Sequence, residues 1–166
     1  MHVVFMGVSG SGKTTVAERV ARELGLPFAE ADAFHPRSNI DKMAAGTPLT
    51  DDDRRPWLRE LSAWIAAHER QGRSTVMACS ALKRSYRDLL REGAAKVYFL
   101  HMHGPEEVIR ERIAVREGHF MPPALLRSQL EALQPLERDE EGREFDVRGD
   151  VDALVRDSLA YVRAVL

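Results

Sequence analysis

Three glycines, a lysine and a threonine near the N-terminus have the types and spacing to hold a polyphosphate. They lie in Gly7-Val8-Ser9-Gly10-Ser11-Gly12-Lys13-Thr14, which fits the pattern G-x-x-x-x-G-K-[ST]. Phosphate oxygens are charged and accept many hydrogen bonds. A loop with Gly7, Gly10 and Gly12 can turn its backbone N–H groups inward without Cβ clashes and so form an anion nest. Lys13 supplies an ammonium for the β/γ oxygens, and the Thr14 hydroxyl can be one ligand of a hydrated Mg²⁺. A helix beginning at the loop adds the positive end of its dipole.

Phosphoryl transfer from such a loop needs positioning and charge neutralisation more than covalent help. Three further clusters hold suitable groups. Glu30 and Asp32 follow a short apolar run; Asp32 can accept a proton or hydrogen bond from an attacking hydroxyl, and Glu30 can hold a metal-bound water, unless both simply cap the next turn. Asp51-Asp52-Asp53-Arg54-Arg55 combines helix-capping acids with arginines able to clamp a carboxylate or phosphate. Arg110, Arg112, Arg116 and His119 come late. Arg112 and Arg116 are four apart and share a helix face. They suit a lid that covers a triphosphate and excludes water. A solvated basic face paired with Glu106, Glu107 and Glu111 fits the same spacing. Ser80, Lys83 and Arg84 are candidates for acceptor binding. Cys79 reads as a small buried residue, and Trp57 and Trp64 as core. His35 has no second His or Cys at metal-ligand spacing.

The elements that must carry these groups alternate. His2–Met6 reads as a buried strand, and Val16, Val20 and Leu24 mark the helix after the loop. A second strand spans 28–32, and residues 33–53 read as an irregular polar connection of functional length. A helix follows over 54–71, with Asp51 to Asp53 as cap candidates. Strands over 74–79 and 96–102 flank a short helix at 85–91. Helices near 104–116 and 124–133, a strand at 145–147 and a helix from Val151 complete the chain. This alternation predicts an α/β fold with helices on both faces of a parallel sheet of about five strands, and ligands beyond the strands' carboxyl ends. Four places should then converge: residues 7–14, 30–35, 79–84 and the region after His101.

The chain has 166 residues, enough for one domain with a core, and a formal net charge of −2, which gives no basic footprint for nucleic acid. No apolar run approaches a membrane span, the N-terminus leads directly into the first strand, and the single Cys79 suits a reducing cytoplasm.

Several blocks together resemble the gluconokinases of the shikimate-kinase-like group. They are Met6 to Lys13; Ala31-Asp-Ala-Phe-His-Pro36 with Asn39, Lys42 and Met43; Pro48 to Leu58; Cys79-Ser-Ala-Leu-Lys83 with Tyr86 to Leu90; and Arg116-Glu-Gly-His-Phe-Met-Pro-Pro123 with Ser128, Gln129 and Glu131. They run from residue 3 to about residue 135 in the family's order. The resemblance implies a three-layer P-loop NTPase fold with a helical lid over about 110–135. It implies ATP-dependent phosphorylation of D-gluconate at its 6-hydroxyl, Mg²⁺, a cytoplasmic enzyme and a homodimer, without nucleic acid or membrane as partners. By position, Gly7, Val8, Ser9, Gly10, Ser11, Gly12, Lys13, Thr14 and Thr15 bind ATP, with Arg112. Thr14 and Glu30 serve the metal. Lys13, Asp32 and Arg116 serve catalysis, and Asp32, His35, Arg54, Ser80, Lys83 and His119 contact the acceptor. Glu30 stands where relatives usually carry Asp, and residues 134–150, Arg148 included, match little. A shikimate or nucleoside monophosphate kinase would share the loop and lid. The His35-Pro36 and Asp53-Arg54 blocks argue against both, and Cys79-Ser80-Ala81 stands where a shikimate-type Gly-Gly-Gly run would. A nucleotide-operated switch that binds a partner protein would need a mobile loop sensing the γ-phosphate and an exposed partner surface; the chain shows no guanine-reading Asn-Lys-x-Asp run, and the late arginines suit a lid better than a docking patch.

Overall fold

The computed structural model describes residues 1–115 and 123–166. Five strands form one parallel sheet in the order β2-β3-β1-β4-β5. The central β1 (His2–Met6) pairs on one side with β3 (Thr75–Ala78) and on the other with β4 (Val97–His103). The edges are β2 (Phe28–Glu30) and β5 (Gly142–Asp146). All five residues of β1 are buried, as a strand covered on both faces requires.

Side-chain alternation along the strands builds the layers. Val4, Met6, Met77 and Phe99 point to one face, where they meet Trp57, Leu58, Leu61 and Ile65 of α3 (Asp51–Arg70), Tyr86 and Leu90 of α4 (Arg84–Arg91), Ile109 of α5 (Glu106–Ala114) and Leu126 of α6 (Pro123–Ala132). Val3, Phe5, Val76, Ala78 and Leu100 point to the other, against Val16 and Val20 of α1 (Lys13–Leu24) and Leu154, Val155 and Val162 of α7 (Val151–Val165). Helix, sheet and helix are the three layers, and the expected α/β architecture with five strands is what forms. Among the described residues, no helix is long and apolar enough to cross a membrane.

The stretch 33–53 differs from its reading as irregular. Glu30 caps a 3-10 turn at Ala31–Phe34, and α2 (Arg37–Ala44) follows directly after Pro36. Only eight residues long, with Ile40 exposed, α2 offers no apolar stripe to read. The cap of α3 also moves. Thr50, not an aspartate, is the N-cap, and it exchanges hydrogen bonds with Asp53 in a capping box. Asp51, Asp52 and Asp53 instead form the first turn, where carboxylates meet the positive end of the helix. The last strand begins three residues earlier than its apolar signal, because the polar Gly142, Arg143 and Glu144 pair with β4 along an edge.

Candidate active site

The loop after β1 is shaped by its neighbours. Gly10 has φ +81°, and a Cβ there would lie 2.5 Å from Ile113 of α5, so only glycine lets that helix seat against the loop. Gly12 takes φ +86° as the N-cap of α1, with open space where a side chain would project. Lys13 begins α1 and is only 8% exposed, yet it has no ion-pair partner among the described residues. The Ser11 hydroxyl is likewise buried without a hydrogen-bond partner among them. A near-buried cation, an orphaned hydroxyl and a helix N-terminus opening on free space suit a bound anion.

Thr14 donates its hydroxyl proton to Glu30 Oε2 at 2.6 Å, while Glu30 Oε1 accepts from the Asp32 backbone N–H at 3.2 Å. Burial raises the Glu30 pKa above the ordinary carboxylate value, opposed by the Thr14 bond. With its proton committed to Glu30, the Thr14 oxygen keeps its lone pairs free for a cation. One hydroxyl with a carboxylate behind it fits Mg²⁺, which keeps most of its waters and takes few protein ligands.

A cleft of about 440 Å³ opens beside Lys13, within the size range of small-molecule sites. Asp32 projects into it, 69% exposed. His35 and Trp57 form one wall with their rings stacked at 4.1 Å. Burial lowers the His35 pKa, opposed by Asp32 and reinforced by Arg54, so the ring is neutral at pH 7. Arg54 enters from α3. Its guanidinium donates to the Leu49 carbonyl at 2.8 Å and to the Tyr86 hydroxyl at 3.0 Å, and Tyr86 in turn donates to Asp51 at 2.5 Å. Ser9, Ser80, Ser128 and Gln129 complete the polar lining.

Several expected groups go elsewhere. Lys83 does not line the cleft; it pairs with Asp51 at 3.0 Å and sits over the Tyr86 ring. Arg84 is tied to Asp88, Glu137 and Asp139. The region after His101 packs beneath the loop rather than into the cleft. There the Met102 carbonyl lies close under Gly7, where a Cβ would meet it at 2.8 Å. Arg110 pairs with Glu106 at 2.6 Å, the solvated-face alternative. Arg112 faces a second hollow of about 360 Å³ on the outer side of the loop, bordered by Thr15, Val115 and Val151, and donates to the Val147 carbonyl. Arg148 is held by Asp146 at 2.6 Å and does not border that hollow. Cys79 is buried, and burial pushes its thiol up to about 12, which suits packing and not nucleophilic chemistry. Arg116 and His119 lie outside the described residues.

Sequence reasoning assigned no role to Gln129. Its carbonyl accepts the Ser9 N–H at 2.8 Å, and its amide donates to the Ser9 hydroxyl at 3.3 Å. The available signal was a polar residue three and four positions after the buried Leu126 and Leu125, on the apolar stripe of α6. Tyr86, also unassigned, belonged to a block whose spacing reads equally well as core.

An anion-binding loop with a helix N-terminus, a metal-ready threonine and an exposed carboxylate facing a polar cleft define a P-loop kinase of small molecules. Residues 3–136 match the family model described as an AAA domain. The chain is 48% identical over 137 residues to the thermoresistant gluconokinase of Escherichia coli, covering 82% of this chain and 78% of that one. Among solved structures, an unliganded sugar kinase from Janibacter superposes with a TM-score of 0.93 at 57% identity, covering 98% of this chain and 94% of that one. A gluconokinase from Sinorhizobium meliloti gives 0.90 at 46%, covering 99% and 92%. The chain belongs to the gluconokinase family, and with it to the phosphotransferases that act on an alcohol group.

Proposed function

We propose that this chain transfers the γ-phosphoryl group of ATP to the 6-hydroxyl of D-gluconate, giving 6-phosphogluconate and ADP. The observation that carries this reading is the convergence of Lys13, Asp32 and Arg54 on one cleft beside the anion-binding loop. Gluconate is a polyol with one carboxylate. Such a ligand calls for a clamping cation at one end and a proton acceptor at the other, with hydroxyl partners between. Arg54 is held by Leu49 and Tyr86 and serves as the clamp. Ser80 and His35 supply polar contacts.

In the reaction, Asp32 orients the acceptor hydroxyl and takes its proton as the new O–P bond forms and the bond to the β–γ bridging oxygen breaks. Lys13 and the backbone of Gly7 to Gly12 balance charge on the phosphates, and the dipole of α1 adds to them. Mg²⁺ would supply further neutralisation of phosphate charge. Thr14 would hold it directly and Glu30 through Thr14 or a water. The hollow by Arg112, Thr15 and Val151 suits the nucleoside, with Arg112 facing it and aliphatic side chains at its border. Arg116 and His119 belong to the lid in this reading. The reading includes a cytoplasmic location and a homodimer, and sedimentation of the purified protein tests the dimer.

Release of ADP is to be followed with Mg-ATP and a panel of acceptors: gluconate, shikimate, AMP, CMP and none. Turnover with gluconate alone is expected. Turnover only with another acceptor would keep the phosphate chemistry and overturn the assignment of the cleft.

A further inference from the structure

We propose that Asn39 is a positioning residue that fixes the proton of His35 on Nε2, making His35 a neutral hydrogen-bond donor to an acceptor hydroxyl oxygen beside Asp32. This rests on the reading of the cleft as the acceptor site.

The ring of His35 has little freedom. Its side chain is 4% exposed and lies on Trp57 with an interplanar angle of 19°, and Trp57 is pinned by its Nε1–H to the Ala31 carbonyl at 2.7 Å. The two ring nitrogens therefore face fixed surroundings. Nδ1 lies 3.2 Å from the Asn39 amide nitrogen, and Nε2 points toward the cleft, 4.0 Å from Asp32 Oδ1.

The orientation of the Asn39 amide decides the tautomer. Asn39 is 2% exposed, and the same Nδ2 lies 3.0 Å from the backbone carbonyl of Asp53. A carbonyl only accepts, so the amide nitrogen and not its oxygen must stand there. That NH₂ group then presents its second hydrogen to His35 Nδ1, which must offer a lone pair. A neutral imidazole with a lone pair on Nδ1 carries its hydrogen on Nε2. The Asp53 carbonyl is itself placed without help from the cleft, because the Asp53 side chain is locked by Thr50 and by Lys42 at 2.8 Å.

The charged groups facing the ring are Asp32 and Arg54, and they act in opposite directions. At 4.0 Å the Nε2–H falls short of a hydrogen bond to Asp32, so the donor is available to an oxygen seated between the two. His35 does not compete with Asp32 for the substrate proton, since its only basic nitrogen is turned to Asn39. It instead fixes the orientation of the hydroxyl that Asp32 deprotonates.

Long-range ¹H–¹⁵N correlation spectra of the whole protein labelled at histidine, at about pH 8, test the proposal. The signal that disappears in His35→Gln is expected to show a protonated Nε2 and a bare Nδ1. Asn39→Asp replaces the donating amide by an acceptor of the same size. It is expected to bring a proton onto Nδ1 and to raise KM for gluconate about tenfold, with KM for ATP within about twofold. His35→Gln keeps a donor and should hold gluconate at least about fivefold better than His35→Leu. A neutral Nδ1–H tautomer or an imidazolium in the wild-type spectrum overturns the proposal. So does an Asn39→Asp protein with the wild-type spectrum and wild-type KM. The spectrum is read without turnover, so failure of the gluconate assignment shows separately, as absent turnover of the unaltered enzyme.

Discussion

Asp32 and Glu30 are two carboxylates two residues apart with different tasks, and their surroundings separate them. Glu30 is half-buried and committed to Thr14 and to the turn that follows it. Asp32 is exposed to the cleft, with no hydrogen bond to its carboxylate among the described residues. Replacing Asp32 by asparagine keeps the shape and removes the proton acceptor. The expected outcome is a fall in kcat of about 10²–10⁴-fold with KM for ATP nearly unchanged, measured by steady-state kinetics. Near-wild-type turnover would take Asp32 out of the mechanism. At this scale the residue types at Lys13, Thr14 and Asp32 suggested roles by their chemistry, Arg54 was singled out through the family resemblance, and Lys13, Asp32 and Arg54 line one cleft. The sequence was silent where a role depends on who sits opposite. Nothing in the spacing of Lys83 reveals that Asp51 holds it away from the cleft, and nothing in Asn39 shows that it faces His35.

Between elements, a buried ion pair joins α4 to the segment before β5. Arg87 and Glu140 are both fully buried at the side chain, with Arg87 Nε donating to Glu140 Oε1 at 2.7 Å. Arg87 also donates to the carbonyls of Ala81 and Leu82, which places it under the turn that presents Ser80. That turn is strained. Ala81 has φ +44°, in the left-handed region. Burial alone would raise the Glu140 pKa, but Arg87, the Glu137 N–H and Arg91 bring it down to about 2, below its ordinary 4.5. The folded protein therefore binds fewer protons than the unfolded chain in between. Stability from this group is complete above about pH 4.5 and is lost as pH falls toward 2. Glu140→Gln is expected to lose about 3–5 kcal/mol at pH 7 in denaturant melts, and to show a shallower decline than the wild type below pH 4.5. An unchanged acid slope would refute the linkage. This charged segment is also the part of the chain least legible beforehand. Its order comes from arginines about fifty residues away, and no local periodicity records such pairings.

The molecule as a whole places its chemistry at one end of a sheet whose strands all run the same way. The alternation of apolar strands and amphipathic helices was enough to predict that arrangement. The strand order was not predictable, because neighbours such as β1 and β4 pair across a long stretch of chain and no local pattern records that pairing. Ligands seated in both hollows would together contact both helical layers, since α1 and α7 border one and α3 and α6 line the other. A non-hydrolysable ATP analogue at about one hundred times its Kd should add about 2.7 kcal/mol and raise Tm by about 5–10 °C, read by calorimetry. No shift would mean that the nucleotide does not select the folded state.

The contact between Gln129 and Ser9 carries one more implication. A glutamine on α6 satisfies a backbone N–H of the loop after β1. Any phosphate that claims that N–H must displace the glutamine, which removes one tie between the loop and the helix that walls the cleft. Thermodynamic reciprocity then holds between the two sites: whatever repositions α6 on the acceptor side must change nucleotide affinity by the same factor that nucleotide changes acceptor affinity. If ATP phosphates occupy the loop and the acceptor the cleft, this one side chain would make each substrate an effector of the other before any bond is broken.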